Sequence, residues 1–397
     1  MNRKQFIVLL ALVLVLGGAA WWHYHRQTAG WSNPNPELGQ KLLGDFQVND
    51  VAQIRIEQGT NDLTLAKTNG LWCVAQRDDY PANFSQISQL LLKLRDLKIV
   101  QTEAVGPSQL PRLNLAPPGQ GTNAAMLLEF DAAGGRPIRT LWLGKAHTQQ
   151  SSQPSPDAPE GGWPDGRYVL TAPHSTTVAV ISDPLSEVNP APDQWLDKTF
   201  LQIEKPQSIS VNFPEATNSW ELTRSSETND WELAGAKPGE KLDRSKVSET
   251  AGSFSSPSFA DVATDLSPKQ TGLDRPTRVV IKTFDGFDYS MKVGAKTNDN
   301  YCLTVHTSAT LPKEPAPVKG EKPEQQAAAD KTFQANLKTL QTKLARESAF
   351  NQWVYFVPTW TVDPLLKTRE QLLVPKPAVT QTNTPSAVSS LEKPTTK

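Results

Sequence analysis

A chain of 397 residues suits two or three domains at about 150 residues each, and a formal charge of −1 with a pI near 6.6 gives no long-range field to gather a polyanion, which argues against nucleic acid as a partner. With 32 prolines, 23 glycines and a mean hydropathy of −0.45, the chain reads as a loop-rich soluble body that spans a membrane at most once.

That span is at the start. After Arg3 and Lys4 an unbroken apolar run extends from Phe6 to Ala20, followed by Trp21 and Trp22 and then the polar His23-Tyr24-His25-Arg26. A membrane span needs roughly 17 to 25 residues, so segment 1–26 fits a secretory signal, with Gly18-Ala19-Ala20 as the cleavage site, or an uncleaved anchor with its tryptophans at headgroup level. We read it as an N-terminal transmembrane helix whose Arg3 and Lys4 stay in the cytoplasm, which sends the body to the periplasmic or extracytoplasmic side of the inner membrane. Residues 27–45, with their Asn-Pro repeats and turn residues, read as a linker.

The body is predicted to be α+β: two tandem repeats of a mainly antiparallel sheet with a covering helix, over residues 46–200 and 201–373. The first repeat opens with alternating strands at 51–56 and 63–67 and an Asn69-Gly70 turn into a strand at 71–75. Between 83 and 98, Phe84, Ile87, Leu90, Leu91, Leu94 and Leu97 fall on one helical face, with Asn83 or Ser85 as N-cap. A turn at 113–118, a hairpin at 127–144, a strand around Tyr168 and another from Thr177 complete the copy.

The second repeat starts alike, with strands predicted at 207–211, 220–224 and, after Asn229-Asp230, 231–234. A shorter helix follows Leu242, weakened by Gly252 and Pro257. Residues 271–308 are the clearest stretch of the duplication, with an Asp285-Gly286 turn between Phe284 and Tyr289 and a strand end at Gly294. The duplication pairs Ile54 with Ile209, Trp72 with Trp231, Gly144 with Gly294 and Tyr168 with Tyr301. The copies differ in their insertions. Residues 151–166 are expected to be a polar, mobile loop. The second insertion, 311–348, is read as a Pro, Lys and Glu linker followed by a helix whose Phe333, Leu337, Leu340 and Leu344 form a stripe to be buried on the repeat's own sheet or on a partner helix. The tail 374–397 has the composition of a disordered segment.

Candidate chemistry is sparse. The short motifs whose spacing encodes hydrolase, metalloprotease or nucleotide chemistry are missing from the sequence, so the chain is expected not to be an enzyme. His23 and His25 fit a polar membrane flank better than a metal site, and His174 and His306, at similar places in the copies, fit strand-end hydrogen bonding better than catalysis. Asp285 and Asp288 lack the twelve-residue calcium pattern and read as a hairpin turn. Of the eleven tryptophans, Trp72, Trp142, Trp220 and Trp231 are expected in the core, while Trp163, in the first insertion, is a candidate ligand contact. Cys73 and Cys302 lie at non-equivalent positions and are expected to be free. No catalytic, cofactor-binding or metal-binding residue is assigned.

The N-terminal anchor, the Asn69-Gly70-x-Trp72 turn, the Gly272-Leu273-x-x-Pro276 turn before a hairpin ending at Gly144 or Gly294, the following Tyr strand and the Leu196-Asp197-Lys198 segment together resemble the domain-of-unknown-function 4340 family over most of 46–373. The resemblance implies a bacterial envelope protein held by one N-terminal helix and often associated with ABC-type export or gliding-motility transport components. The expected function is therefore a membrane-anchored, non-catalytic accessory or scaffold protein with protein partners in an envelope transport complex. A binding module for a cell-envelope polymer is the alternative, and an unrecognised hydrolase a weaker one.

Overall fold

The computed structural model describes residues 38–149, 163–171, 177–314 and 323–375. The predicted transmembrane segment, most of the linker, Trp21, Trp22, His23, His25, His174 and the tail beyond 375 lie outside the described residues. Among the described residues no helix is long and apolar enough to cross a membrane. The fold is α+β, with two mostly antiparallel sheets and few helices. The chain divides into two compact units, one running to Thr199 and including Ala260–Asp265, the other comprising Phe200–Phe259 and the chain from Leu266 onward.

The first unit contains β1 (Val51–Gln58), β2 (Asn61–Thr68), β3 (Leu71–Val74), β4 (Tyr80–Pro81), α1 (Phe84–Asp96), β5 (Ile99–Ala104), β6 (Met126–Ala132), β7 (Arg136–Gln149), β8 (Trp163–Leu170) and β9 (Thr177–Ile181). Its sheet order is β4-β3-β2-β1-β6-β7-β8-β9-β5. Alternation in β1 and β2 puts Ile54, Ile56, Leu63 and Leu65 fully inside, as a half-buried sheet requires. Asn69 (φ 52°) and Gly70 (φ 84°) supply the left-handed pair that a two-residue hairpin turn needs between Thr68 and Leu71. Asn83 caps α1 by accepting from the Gln86 amide, and Ile87, Leu90, Leu91 and Leu94 are its buried face. Phe84, predicted on that face, is instead exposed: as the first helical residue its side chain projects back past the helix start and beyond the cover.

Leu127 points away from its neighbour Leu128, and with Leu110, Leu115, Ala125, Trp142, Leu170 and Val178 it builds a second buried cluster on the opposite face. The linker predicted over 27–45 is docked at its far end, where Leu42 and Leu43 are buried and the Leu42 amide donates to Leu97 O. Of the loop predicted over 151–166, residues 151–162 lie outside the described residues, and 163–166 are strand, with Trp163 opening β8 opposite Gln149.

The second unit contains β10 (Pro206–Asn212), β11 (Trp220–Thr223), β12 (Glu232–Leu233), α2 (Arg244–Gly252), α3 (Pro268–Thr271), β14 (Thr277–Thr283), β15 (Phe287–Thr297), β16 (Asn300–Ala309), α4 (Pro323–Ser348), β17 (Val354–Pro358) and α5 (Thr359–Val362), while β13 (Asp261–Ala263) counts with the first unit. The second unit's strands run β12-β11-β10-β14-β15-β16-β17, the order of β3-β2-β1-β6-β7-β8-β9.

Registers follow the same plan. Ile54 lies opposite Leu65 and Phe130, and Ile209 opposite Leu222 and Ile281. Gly144 and Gly294, predicted as strand ends, instead sit at bulges within β7 and β15, where the register shifts between Leu143 and Ala146 and between Val293 and Lys296. The backbone itself demands glycine there: a Cβ would stand 2.5 Å from Leu113 O in one case and 2.1 Å from Thr271 O in the other.

The pairing of Tyr168 with Tyr301 is off by one residue. Leu143 faces Val169 and Val293 faces Leu303, so the ladder sets Tyr168 against Cys302 and Arg167 against Tyr301. One residue along a strand is the opposite face of the sheet, so the two tyrosines point to opposite sides. Trp142 and Trp220 are buried as predicted, and Cys73 and Cys302 are buried and free. The predicted stripe of α4, Phe333, Leu337, Leu340 and Leu344, is half-buried, and the helix is fastened at its last turn, where the fully buried Glu347 accepts from Tyr289 Oη at 2.7 Å and from the Gln202 amide at 3.2 Å.

Candidate functional site: two clefts at one register

In each unit a cation is laid over a tryptophan at the third strand, within β3 in the first unit and just before β12 in the second. Lys67 Nζ is 5.1 Å from the Trp72 ring centre and donates to Val51 O at 2.8 Å. Arg224 Cζ is 4.8 Å from the Trp231 ring, and its Nε donates to Pro206 O at 2.8 Å. Val51 and Pro206 are both the first residues of their strands and both precede a register shift, so each cation ties a bulge carbonyl to an indole. Trp72 is buried. Trp231, predicted in the core, falls just before the short β12 and is only half-buried, because β12 is too short to hold it on the sheet.

Beside each tryptophan the helix start is stitched to a later segment by the same bonds. The Asn83 amide donates to Trp195 O and the Asp197 amide to Pro81 O; the Asp243 amide donates to Leu372 O and the Val374 amide to Lys241 O. Isolated bridges join Ala82 to Leu196 and Leu242 to Leu373. The matching bonds equate Pro81 with Lys241, and the first residue after each cap equates Phe84 with Arg244. The residue before each tryptophan equates Leu71 with Asp230.

A cleft opens at this place in both units. In the first it has a volume of about 560 Å³ and is lined by Lys67, Leu71, Trp72, Pro81, Phe84 and Asp197, among others. Leu71 is 66% and Phe84 65% exposed at its lip. In the second it has a volume of about 770 Å³, with an apolar floor that includes Ile203, Pro206 and Val247. There Arg244 Nη2 reaches Asp230 Oδ2 at 2.6 Å, across the gap that Leu71 and Phe84 flank in the first unit. Behind Trp231, Arg369 bonds to Ala234 O, Gly235 O and Glu240 Oε2, and the Lys237 amide, followed by Arg369, holds the Glu240 carboxyl below its ordinary pKa.

The other candidates fall elsewhere. Trp163 is exposed on β8 and lines neither cleft. His306 is exposed on β16 opposite Ser290. Asp285 and Asp288 lie at the β14–β15 hairpin and pair with Lys205 and Lys282 at 3.4 and 3.7 Å. Among the described residues no group of His, Cys, Asp or Glu is placed to hold a metal ion. Sequence reasoning missed the cation of each clamp, although Lys67 and Trp72 stand opposite each other across the Asn69-Gly70 turn that it had identified. It also missed His147, whose Nδ1 lies 2.6 Å from Asp165 Oδ1 on the neighbouring strand.

No family model matches the chain, and no curated protein or solved structure matches it.

Proposed function

We propose that the chain is a tandem duplication of one α+β unit, anchored by its N-terminal segment with the body outside the cytoplasmic membrane, and that it serves as a non-catalytic accessory or scaffold protein of an envelope transport complex. The observation that carries the duplication is the recurrence, in one strand order, of the same cation-tryptophan clamp beside the same helix cap. A rigid clamp next to an open cleft is suited to recognition: it holds a surface still and spends its polar groups on the fold rather than on proton transfer. Membrane attachment rests on Arg3, Lys4, the apolar run 6–20 and the Trp21-Trp22 pair. The transport role rests on the resemblance to the domain-of-unknown-function 4340 family.

Alkaline phosphatase fused after Lys376 should be active, and the full chain should resist carbonate extraction; a soluble product beginning at Trp21 would overturn the anchor. In-cell crosslinking from Leu71 and Phe84 positions should capture a transport permease or ATPase-associated subunit, and its failure to do so at every cleft position would overturn the complex.

A second reading, a binding module for a cell-envelope polymer, is favoured by one observation: half-buried Trp231 lines a cleft furnished with charged and hydroxyl side chains. The hydrolase reading has only the His147–Asp165 pair behind it, and neither residue lines either of the two clefts described.

A further inference from the structure

The two clefts share a scaffold and differ in charge. Where the second unit has Asp230, Lys241 and Arg244, the first has Leu71, Pro81 and Phe84. The first unit closes the same strands, cap and bridge without those charges, so folding alone does not call for them in the second.

Around the second cleft four basic side chains, Lys205, Arg224, Lys241 and Arg244, face two acidic ones, Glu204 and Asp230, an excess of two positive charges in a chain whose net charge is −1. Some of these are already compensated: Lys205 lies 3.4 Å from Asp285, Arg244 is bonded to Asp230, and Glu204 is 3.5 Å from Lys343. Two cations are not. Among the described residues exposed Lys241 forms no ion pair, and Arg224, whose guanidinium lies over Trp231 and Phe284 and donates to the carbonyls of Pro206 and Glu227, has no carboxylate partner. Asn229, Ser248 and Ser255 add neutral hydrogen-bonding groups to the lining, and Trp231 adds a flat apolar surface. The volume, about 770 Å³, falls within the range of small-ligand sites, roughly 300–1,000 Å³.

We propose that the cleft of the second unit binds an acidic saccharide, its carboxylate drawn to Lys241 and Arg224, its hydroxyls to Asn229 and Ser248, and a sugar ring to Trp231. This rests on the polymer-binding reading and adds to it the charge of the ligand and the choice of unit. A neutral sugar would leave Lys241 without a counter-charge, and an acidic ligand without a flat face would not use the indole.

The full chain in detergent is titrated calorimetrically with oligogalacturonate and with a neutral cello-oligosaccharide of equal length. The acidic ligand should bind at least tenfold more tightly, and its Kd should rise with salt. Lys241→Ala should weaken it about tenfold, whereas Lys282→Ala, which removes the same charge elsewhere on the second unit, should leave it unchanged. Circular dichroism of both variants checks that they fold. Equal binding of both sugars, unmoved by Lys241→Ala, overturns the acidic ligand while leaving polymer binding in place. Binding of neither sugar overturns polymer binding itself. Acidic binding lost in Phe84→Ala and kept in Lys241→Ala assigns the site to the wrong unit and overturns the proposal.

Discussion

Lys67 and Trp72 meet across a two-residue turn, with the ammonium 5.1 Å from the ring centre and at the same time 2.8 Å from the carbonyl of Val51. Arg224 and Trp231 repeat the contact in the second unit with a different cation. A cation over an indole contributes about 0.5–1 kcal/mol where it is exposed, as at Lys67, and up to about 2 kcal/mol where it is more desolvated, as at half-buried Arg224, and its bond to a carbonyl adds to this. Lys67→Met and Arg224→Met are each expected to lower stability by about 1–2 kcal/mol in urea unfolding. Arg224→Lys should recover most of the loss, since an ammonium already does this work at residue 67. An Arg224→Lys variant as unstable as Arg224→Met would show that the guanidinium's second carbonyl, Glu227, matters more than the indole.

Gly144 and Gly294 are fixed by close backbone approach at the two bulges. Gly294→Ala would force a methyl group to within 2.1 Å of Thr271 O and should cost about 3 kcal/mol or prevent folding of that unit. Gly144→Ala, at 2.5 Å from Leu113 O, should behave likewise. Gly252, at the end of α2 with nothing within 4 Å, is the control: Gly252→Ala should be neutral or stabilise by about 0.5 kcal/mol. Thermal melts that rank the three alike would refute the steric argument.

Glu347 fastens α4 from inside. It is fully buried and accepts from Tyr289 Oη, the Gln202 amide and Arg346 Nη2. Tyr289→Phe removes the bond from this hydroxyl and leaves a buried carboxyl oxygen of Glu347 without that donor, which should cost about 2 kcal/mol. Glu347→Leu strands both the tyrosine hydroxyl and the Gln202 amide and should cost more. Limited proteolysis should cut α4 faster in Glu347→Leu than in the parent; unchanged cleavage would mean that the apolar side chains of the helix suffice to hold it.

Burial, followed by the bond from its hydroxyl to Asp363 Oδ1 at 2.9 Å, pushes Tyr301 up to about 12. Because the folded form keeps its proton longer than the unfolded chain, whose phenol titrates near its ordinary value of about 10, the contribution of this group is fully present below that value and is lost as pH rises through 10 towards 12. Tyr301→Phe should therefore flatten the alkaline fall of stability across that window, as read by denaturant midpoints at successive pH values. An unchanged slope would place the alkaline sensitivity elsewhere, at Tyr289 above all, which burial and Glu347 push up further still.

What the sequence determined by itself was local. Asn69-Gly70 and Gly286 specify their hairpins because only a few residue types accept positive φ, and Asn83 and Asp243 specify helix starts because their side chains reach amides two or three residues on. The alternation of Ile54 and Ile56, and of Val279 and Ile281, is set by the strand period and was legible for the same reason. Tertiary structure decided whatever depends on a distant neighbour. Strands of two residues, β4 and β12, carry no period to detect, and β5 is half-exposed. The slip that sets Tyr168 against Cys302 is read only from the ladders of β8 on β7 and β16 on β15, whose bulges fall at the same place in both units, and a match of tyrosine to tyrosine along the sequence cannot register it. The clefts lay further still from the sequence: their lips, Leu71 with Phe84 and Asp230 with Arg244, join residues thirteen or fourteen positions apart through a strand edge and a helix cap, so only the packed chain brings them face to face.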